Sequence, residues 1–351
     1  MHTLNYAQAI REAHAQLLST DPRVFVIGQG LWSPWYAGSS LENLDQEFGK
    51  NRVLDSPVSE NAITGLAVGA ALAGMRPILF HPRMDFMVLG MDPLINQAAN
   101  WSYLFAGQVS VPLVARTVIN RGGEQGAQHS QALHSFFLHV PGIKVVMPAT
   151  PADAKGLLIA AVKDPNPVLY IDDRWLYEET GLVPEEMAAI PIGSAAVRRA
   201  GSDVTLIGIS YMAQQAARAS LELEREGISA EVIDLRSLKP WDQETVLRSV
   251  RKTGRAVVAD PGWRTGGASA EIAATIAQEA FDALRSPVER VALPDAPAPT
   301  SRAEEAAYYP GAREIVWAAR RTLETRTRRC LGHGVRKDMT REEEALEGVS
   351  A

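Results

Sequence analysis

A chain of 351 residues, at about 150 per domain, has room for two domains and a buried catalytic site. Its 35 basic and 41 acidic side chains leave a formal charge of −6, so there is no basic excess to meet a nucleic-acid backbone. The 46% hydrophobic content excludes a disordered chain, and the single cysteine, Cys330, excludes an internal disulfide and a cysteine metal cluster.

The first residues, Met1 to Tyr6, lead into an amphipathic stretch carrying Arg11 and Glu12, without the apolar core of a secretion signal. The longest strongly apolar run free of charge, Asn61 to Met75, falls short of the about 20 residues that span a bilayer, so a soluble, cytoplasmic protein is expected. Short apolar runs then alternate with segments of helical period, the pattern of parallel strands joined by crossover helices. Strands are predicted at Val24–Ile27, Ile78–Phe80, Leu113–Ala115, Lys144–Met147 and Val168–Ile171, and helices at 5–19, 60–73, 87–105 and 151–163. The last opens with Thr150 and Pro151, a cap followed by proline at the first helical position.

From about 175 to 200 the pattern lapses into an acidic, Pro- and Gly-bearing stretch and then restarts. Strands follow at Val204–Gly208, Glu231–Asp234, Ala256–Ala259 and Arg290–Leu293, with helices at 212–226, 242–253, 268–284 and 312–325. The expected organisation is α/β throughout: a first domain over 1–180, a linker over 181–200, a second domain over 201–325 and a charged tail over 326–351. A single larger sheet is the alternative. His333 near Cys330 lacks the second pair of ligands that zinc sites show, so the tail reads as a solvated or partner-contacting extension.

Gly28 and Gly30 follow a strand, as in a dinucleotide fingerprint, but Ser33 stands where the third glycine belongs. The glycine pairs Gly122-Gly123 and Gly266-Gly267 lack the lysine of a phosphate loop, so a diphosphate would be held partly by something else. Ser59 stands where it can cap the helix that follows, which puts Glu60 in the first turn, where free N–H groups and the helix dipole favour a carboxylate. Read alone, that is an ordinary helix start. The helix is rich in small residues, however (Gly65, Ala67, Gly69, Ala70, Ala71), and such a helix packs closely against another backbone, placing Glu60 in an interface or cleft. A glycine-bearing loop after the strand at 113–115 delivers His129 where parallel sheets build their sites, as an acid, base or donor or simply as a loop histidine. His134 and His139 read as packing or surface residues. Phe86 reads as core.

The ordered motifs Pro57-Val-Ser-Glu60, Asp85-Phe86, Gln128-His-Ser-Gln131 and Val140 to Gly156 resemble the beta subunit of the decarboxylating component of 2-oxoacid dehydrogenases. In the second half, Gly227 to Pro240, Arg264 to Gly267 and Pro294 to Pro297 resemble that family's C-terminal domain, which transketolases share. The resemblance covers about residues 3 to 325. It implies two three-layer α/β/α domains with mainly parallel sheets, a pyrimidine-binding domain and a transketolase C-terminal domain. It also implies thiamine diphosphate at the interface with an alpha subunit in an alpha2-beta2 heterotetramer, with the alpha subunit holding Mg2+ and the diphosphate.

By this resemblance Glu60 hydrogen-bonds the 1′-nitrogen of the aminopyrimidine, Phe86 and Ser59 lie against the cofactor, and His129 faces the reacting carbon. Asp164 and Asn166 fall where some members bind a structural monovalent cation such as K+, a simple turn being the alternative. The implied activity is decarboxylation of a 2-oxoacid with transfer of the acyl group to the lipoyl arm of an acyltransferase core. A two-component transketolase-like or acyloin-forming carboligase and a non-catalytic partner of an alpha subunit are the alternatives. The chain departs from the family at Gln29 and Leu89, where acids are common, and at His81 and Arg83, where apolar or aromatic residues are common. Arg83, a fixed positive charge beside Phe86, is read as contacting an anionic or hydroxylated substrate.

Overall fold

The computed structural model describes residues 1–330; the tail expected over 326–351, with the side chains of Cys330 and His333, lies outside the described side chains. The first half runs β1 (His2–Asn5), α1 (Tyr6–Thr20), β2 (Val24–Gly28), α2 (Leu44–Phe48), β3 (Val53–Asp55), α3 (Glu60–Leu72), β4 (Arg76–His81), α4 (Met84–Met87) and α5 (Ala99–Leu104). It continues through β5 (Val114–Ile119), α6 (His134–His139), β6 (Lys144–Val146), α7 (Pro151–Lys163), β7 (Val168–Asp173) and β8 (Thr180–Val183). The second half comprises β9 (Ala196–Arg199), β10 (Val204–Gly208), α8 (Tyr211–Arg225), β11 (Ala230–Asp234), β12 (Ser237–Lys239), α9 (Gln243–Thr253), β13 (Ala256–Trp263), α10 (Ala268–Glu279), β14 (Glu289–Leu293), α11 (Arg302–Tyr308) and α12 (Ala312–Cys330).

Two sheets form the frame. The larger has the order β12-β6-β7-β5-β4-β2-β3, the smaller β14-β13-β10-β11-β9. Both are parallel except at β12 and β9, and their central strands are buried along their whole length, as sheets covered by helices on both faces must be. Local chemistry fixes the helix starts. Asn5 and Gln8 close a reciprocal capping box on α1, and Thr150 accepts the Asp153 N–H at 3.2 Å ahead of Pro151 on α7.

Two expectations change. The stretch expected as linker holds strands: β8 pairs antiparallel with β1, and β9 joins the second sheet beside β11. The helix expected over 87–105 is broken into a 3-10 turn at Val88–Gly90, a π turn at Pro93–Ala98 and α5, because Pro93 has no N–H to continue the ladder. The halves interlock, since β12 of the second half pairs with β6 of the first. One apolar core runs across the join from Leu79, Met147 and Ile171 to Ile207, Ile233 and Val258. No described helix is long and apolar enough to cross a membrane.

Candidate active site

Adjacent parallel strands β5, β4, β2 and β3 end along one edge of the larger sheet, the edge at which open α/β sheets bind ligands. Gln29 follows β2, Glu60 follows β3, Arg83 to Phe86 follow β4, and the loop carrying His129 follows β5. The fold thereby gathers residues that lie about 100 positions apart in the sequence.

Glu60 is the first residue of α3 and only 5% exposed, although Pro57, Val58 and Ser59 just before it are exposed. The Gln29 amide donates to its Oε1 at 3.1 Å, and the free N–H groups of the helix head favour its charge. Ser59 occupies the N-cap position, but its side chain makes no capping bond; only its carbonyl serves the helix, accepting the Ile63 N–H at 3.0 Å. The capping role expected of Ser59 is therefore corrected: φ −163° and ψ 77° leave its hydroxyl off the helix head.

Under Glu60, Thr64 donates its hydroxyl to the Glu60 carbonyl at 2.6 Å and lies 3.1 Å from Nε2 of the fully buried His81. With the hydroxyl hydrogen committed, His81 is assigned as the Nε2–H tautomer from the network. Burial pushes His81 down to about 4, against the opposing pull of Glu60, so its ring is neutral at neutral pH. Gly90 lets the 3-10 turn lie on this first turn of α3, for a Cβ there would come within 2.5 Å of the Thr64 hydroxyl.

The segment after β4 reaches the His129 loop. Asp85 Oδ1 accepts both the backbone and side-chain N–H of Gln131, at 3.1 and 2.9 Å, while its Oδ2 is buried without a partner. Burial raises the Asp85 carboxyl, and the Gln131 bonds and His129 oppose the rise. Phe86, read as core from sequence, is instead 36% exposed and meets the His129 ring edge-on at 5.2 Å. Arg83 heads α4, partly buried, with Nη1 donating to the Pro82 carbonyl at 3.2 Å, Nε buried and unpartnered, and no acidic partner among the described residues.

Asp164 and Asn166 lie elsewhere, at the end of α7. Lys144 pairs with Asp164 Oδ2, Asp164 Oδ1 accepts the Asn166 N–H at 2.9 Å, and Arg76 takes the carbonyls of Val162 and Asp164. Lys144 and Arg76 thereby engage three oxygens at this turn: Asp164 Oδ2 and the carbonyls of Val162 and Asp164. Of the two histidines read as packing or surface residues, His134 packs, fully buried with its Nε2 3.0 Å from Asp260 Oδ1 of the second half, and His139 is exposed. Sequence reasoning assigned no role to Gln131, Thr64 or Asp260. Asp85 and Gln131 did stand inside quoted motifs, and that was the available signal.

Comparison with known proteins bears on this arrangement. Residues 2–179 match the transketolase pyrimidine-binding domain and residues 193–315 the transketolase C-terminal domain. The chain is 40% identical to the acetoin:2,6-dichlorophenolindophenol oxidoreductase subunit beta of Cupriavidus necator, over 91% of this chain and 97% of that one. It is 39% identical to the pyruvate dehydrogenase E1 component subunit beta of Rhizobium meliloti, over 91% of this chain and 70% of that one. The chain belongs to the beta subunits of the thiamine diphosphate-dependent 2-oxoacid dehydrogenases. In fold, this beta subunit resembles a solved split-gene transketolase described as an inactive beta4 tetramer, with TM-score 0.74, 22% identity and coverage of 91% of this chain and 97% of that one.

Proposed function

We propose that this chain supplies the ring-activating half of a thiamine diphosphate site, completed by an alpha subunit in an alpha2-beta2 2-oxoacid dehydrogenase that hands an acyl group to a lipoyl acyltransferase core. The observation that carries the reading is Glu60, a nearly buried carboxylate with a single side-chain donor, at a sheet edge shared with the exposed Phe86 and the half-buried His129. The donor set fits an aminopyrimidine. Glu60 offers an acceptor for one shared proton, Phe86 an apolar wall, and the unpartnered Asp85 Oδ2 shows that the rim lacks a donor.

Bound thiamine diphosphate supplies the electron sink for decarboxylation next to a ketone. Glu60 would hold a proton at the 1′-nitrogen, a task that needs a carboxylate fixed in place and shielded from bulk water. Phe86 would give that ring an apolar wall. His129 hydrogen-bonds the substrate or the departing acyl group, and Arg83, with no acid of its own, binds an anionic or hydroxylated substrate group. Among the described residues no cluster of three His, Cys, Asp or Glu side chains is placed to hold a metal, so the proposal gives Mg2+ and the diphosphate to the alpha subunit. The partner surface is α3, where Ala62, Gly65, Leu66 and Gly69 are exposed, with open space at Gly65 and Gly69.

Reconstitution with the alpha subunit, thiamine diphosphate, Mg2+, a panel of 2-oxoacids and lipoyl domain tests the reading. Carbon dioxide release and lipoyl acylation are expected, and both should vanish in Glu60→Ala. Carbon dioxide release that yields a new carbon–carbon product instead of acyl-lipoyl would replace the acceptor with an aldehyde or ketone. If Arg83→Met leaves substrate preference and KM unchanged, Arg83 has no part in recognition.

A further inference from the structure

We propose that Glu305, on α11 of the C-terminal domain, is a positioning residue for His129. The proposal rests on the reading of His129 given above and extends it to the second domain, which that reading leaves without a part in the chemistry.

The loop from Asn120 to Leu133 has little regular structure of its own, and its shape is imposed from outside. At its root the buried Arg121 pairs with the buried Asp173, and its guanidinium is boxed by the rings of Trp175, Tyr211 and Tyr309 at 4.8, 5.3 and 6.0 Å. At its far end His134 is bonded to Asp260, whose other oxygen accepts the Ser269 N–H at 2.8 Å. Tyr211, Tyr309, Asp260 and Ser269 all belong to the second half, so the C-terminal domain grips both ends of the segment.

Between these anchors, Glu124 adopts φ +63°, a left-handed conformation that a side-chain-bearing residue rarely takes. Its N–H is held by Glu305 Oε1 at 3.2 Å, and Glu305 is 8% exposed with no basic partner among the described residues. A little-exposed carboxylate of the second half that accepts this one loop amide ties Glu124 to α11. Two residues on, Gly126 at φ +66° lies so near Thr300 of the second half that a Cβ would come within 2.6 Å of its hydroxyl. The Gly126 carbonyl then accepts the His129 N–H at 3.4 Å. Contact thus runs from α11 to Glu124, Gly126 and His129, and ends at the imidazole against Phe86. Small displacements of a group that must meet substrate cost rate steeply.

The experiment uses the complete alpha–beta complex with thiamine diphosphate, Mg2+ and its best 2-oxoacid. Glu305→Ala should lower kcat/KM for the oxoacid at least 10-fold without shifting the melting temperature of the complex, and should speed hydrogen exchange at the Glu124 amide. Glu305→Gln, which keeps an oxygen acceptor, should restore both to within about twofold. Added to His129→Ala, Glu305→Ala should cost nothing further, since neighbours acting through one group are not additive. Gly126→Ala pushes the loop off Thr300 without touching α11 and should reproduce the loss even if Glu305→Ala fails to fold. The proposal is overturned if Glu305→Ala is as active as wild type, if Glu305→Gln is as impaired as Glu305→Ala, or if the double variant shows the full product of the single losses. His129→Ala with wild-type kinetics would instead sink the reading of His129 itself, and Glu305 would have nothing to position.

Discussion

Two sides of the same sheet edge are finished to different degrees. On the side toward the second half, charge is matched inside the chain: Arg121 with Asp173, His134 with Asp260, and three aromatic rings closed around the guanidinium. On the α3 side Glu60 has one side-chain donor, Asp85 Oδ2 and Arg83 Nε have none, Phe86 shows its face, and the small residues Gly65 and Gly69 meet open space. Buried polar atoms without a partner occur on both flanks, His134 Nδ1 and Ser269 Oγ at the seam among them, so what sets the α3 flank apart is an arginine with no acidic partner among the described residues, an exposed aromatic ring and open space along the helix. The seam joins the two halves of the chain, and the α3 rim is the surface that the proposed function gives to ligand and partner.

The sharpest way to break this contrast is at the seam. Arg121→Met leaves Asp173 as a buried, uncompensated charge, and removing one partner of such a pair costs about 3–5 kcal/mol. Denaturant unfolding of the beta chain alone should show the full loss, because the pair needs no partner protein. A change below about 1 kcal/mol would mean that the seam is not self-sufficient.

Acid separates the two halves next. Every histidine up to residue 330 lies in the first half. Burial pushes His14 down to about 3, with Arg116 and Arg11 adding to the effect, and His81 down to about 4 against Glu60, from an ordinary 6.5. Unfolded histidines take up protons below 6.5 while the folded ones do not, so their stabilising effect is full above 6.5 and is lost as pH falls toward 4 and 3. The slope is at most about 1.4 kcal/mol per pH unit for each histidine. Melting temperature measured from pH 7 to 5 should fall, and His81→Phe should flatten part of the slope; equal slopes would remove His81 from the account.

The sequence carried the frame well and the seam poorly. Buried strands such as Val204–Gly208 are short apolar runs bounded by turn residues, and period alone finds them. β8, β9 and β12 each pair with a single strand that is not their neighbour in the chain, so no local pattern marks them. A helix head and a post-strand loop are local features, so the positions of Glu60 and His129 could be placed from sequence, while the roles proposed for them came from the family resemblance. Phe86 read as core from its own residues and as a cofactor wall only through the resemblance, because exposure is a property of what packs on it, and the Asp260 and Glu305 contacts span 126 and 181 residues.

The open α3 flank is tested by adding bulk where the chain alone has room. A Cβ at Gly69 meets nothing within 4 Å in the isolated chain, and leucine is the better helix former, so the Gly69→Leu beta chain should fold at least as stably as wild type. A helix that packs closely against a partner has no space for the new side chain. Association with the alpha subunit, measured by sedimentation, should weaken at least 10-fold, about 1.4 kcal/mol. Unchanged association would move the partner surface off this face of α3.

Ser59 gives the smallest effect and the finest discrimination, because two accounts of the same residue predict different numbers. If its hydroxyl capped α3, Ser59→Ala would cost about 1 kcal/mol in the isolated chain. The structure shows no such bond and an exposed side chain, so the loss should stay within the about 0.5 kcal/mol of ordinary surface substitutions. A serine kept at the rim beside Glu60 without a helix to serve has its hydroxyl free for whatever docks there. Ser59→Ala should therefore leave unfolding of the beta chain untouched while changing the affinity of the assembled complex for thiamine diphosphate. The reverse pattern, a stability loss with no change in cofactor affinity, would return Ser59 to the helix and take it out of the site.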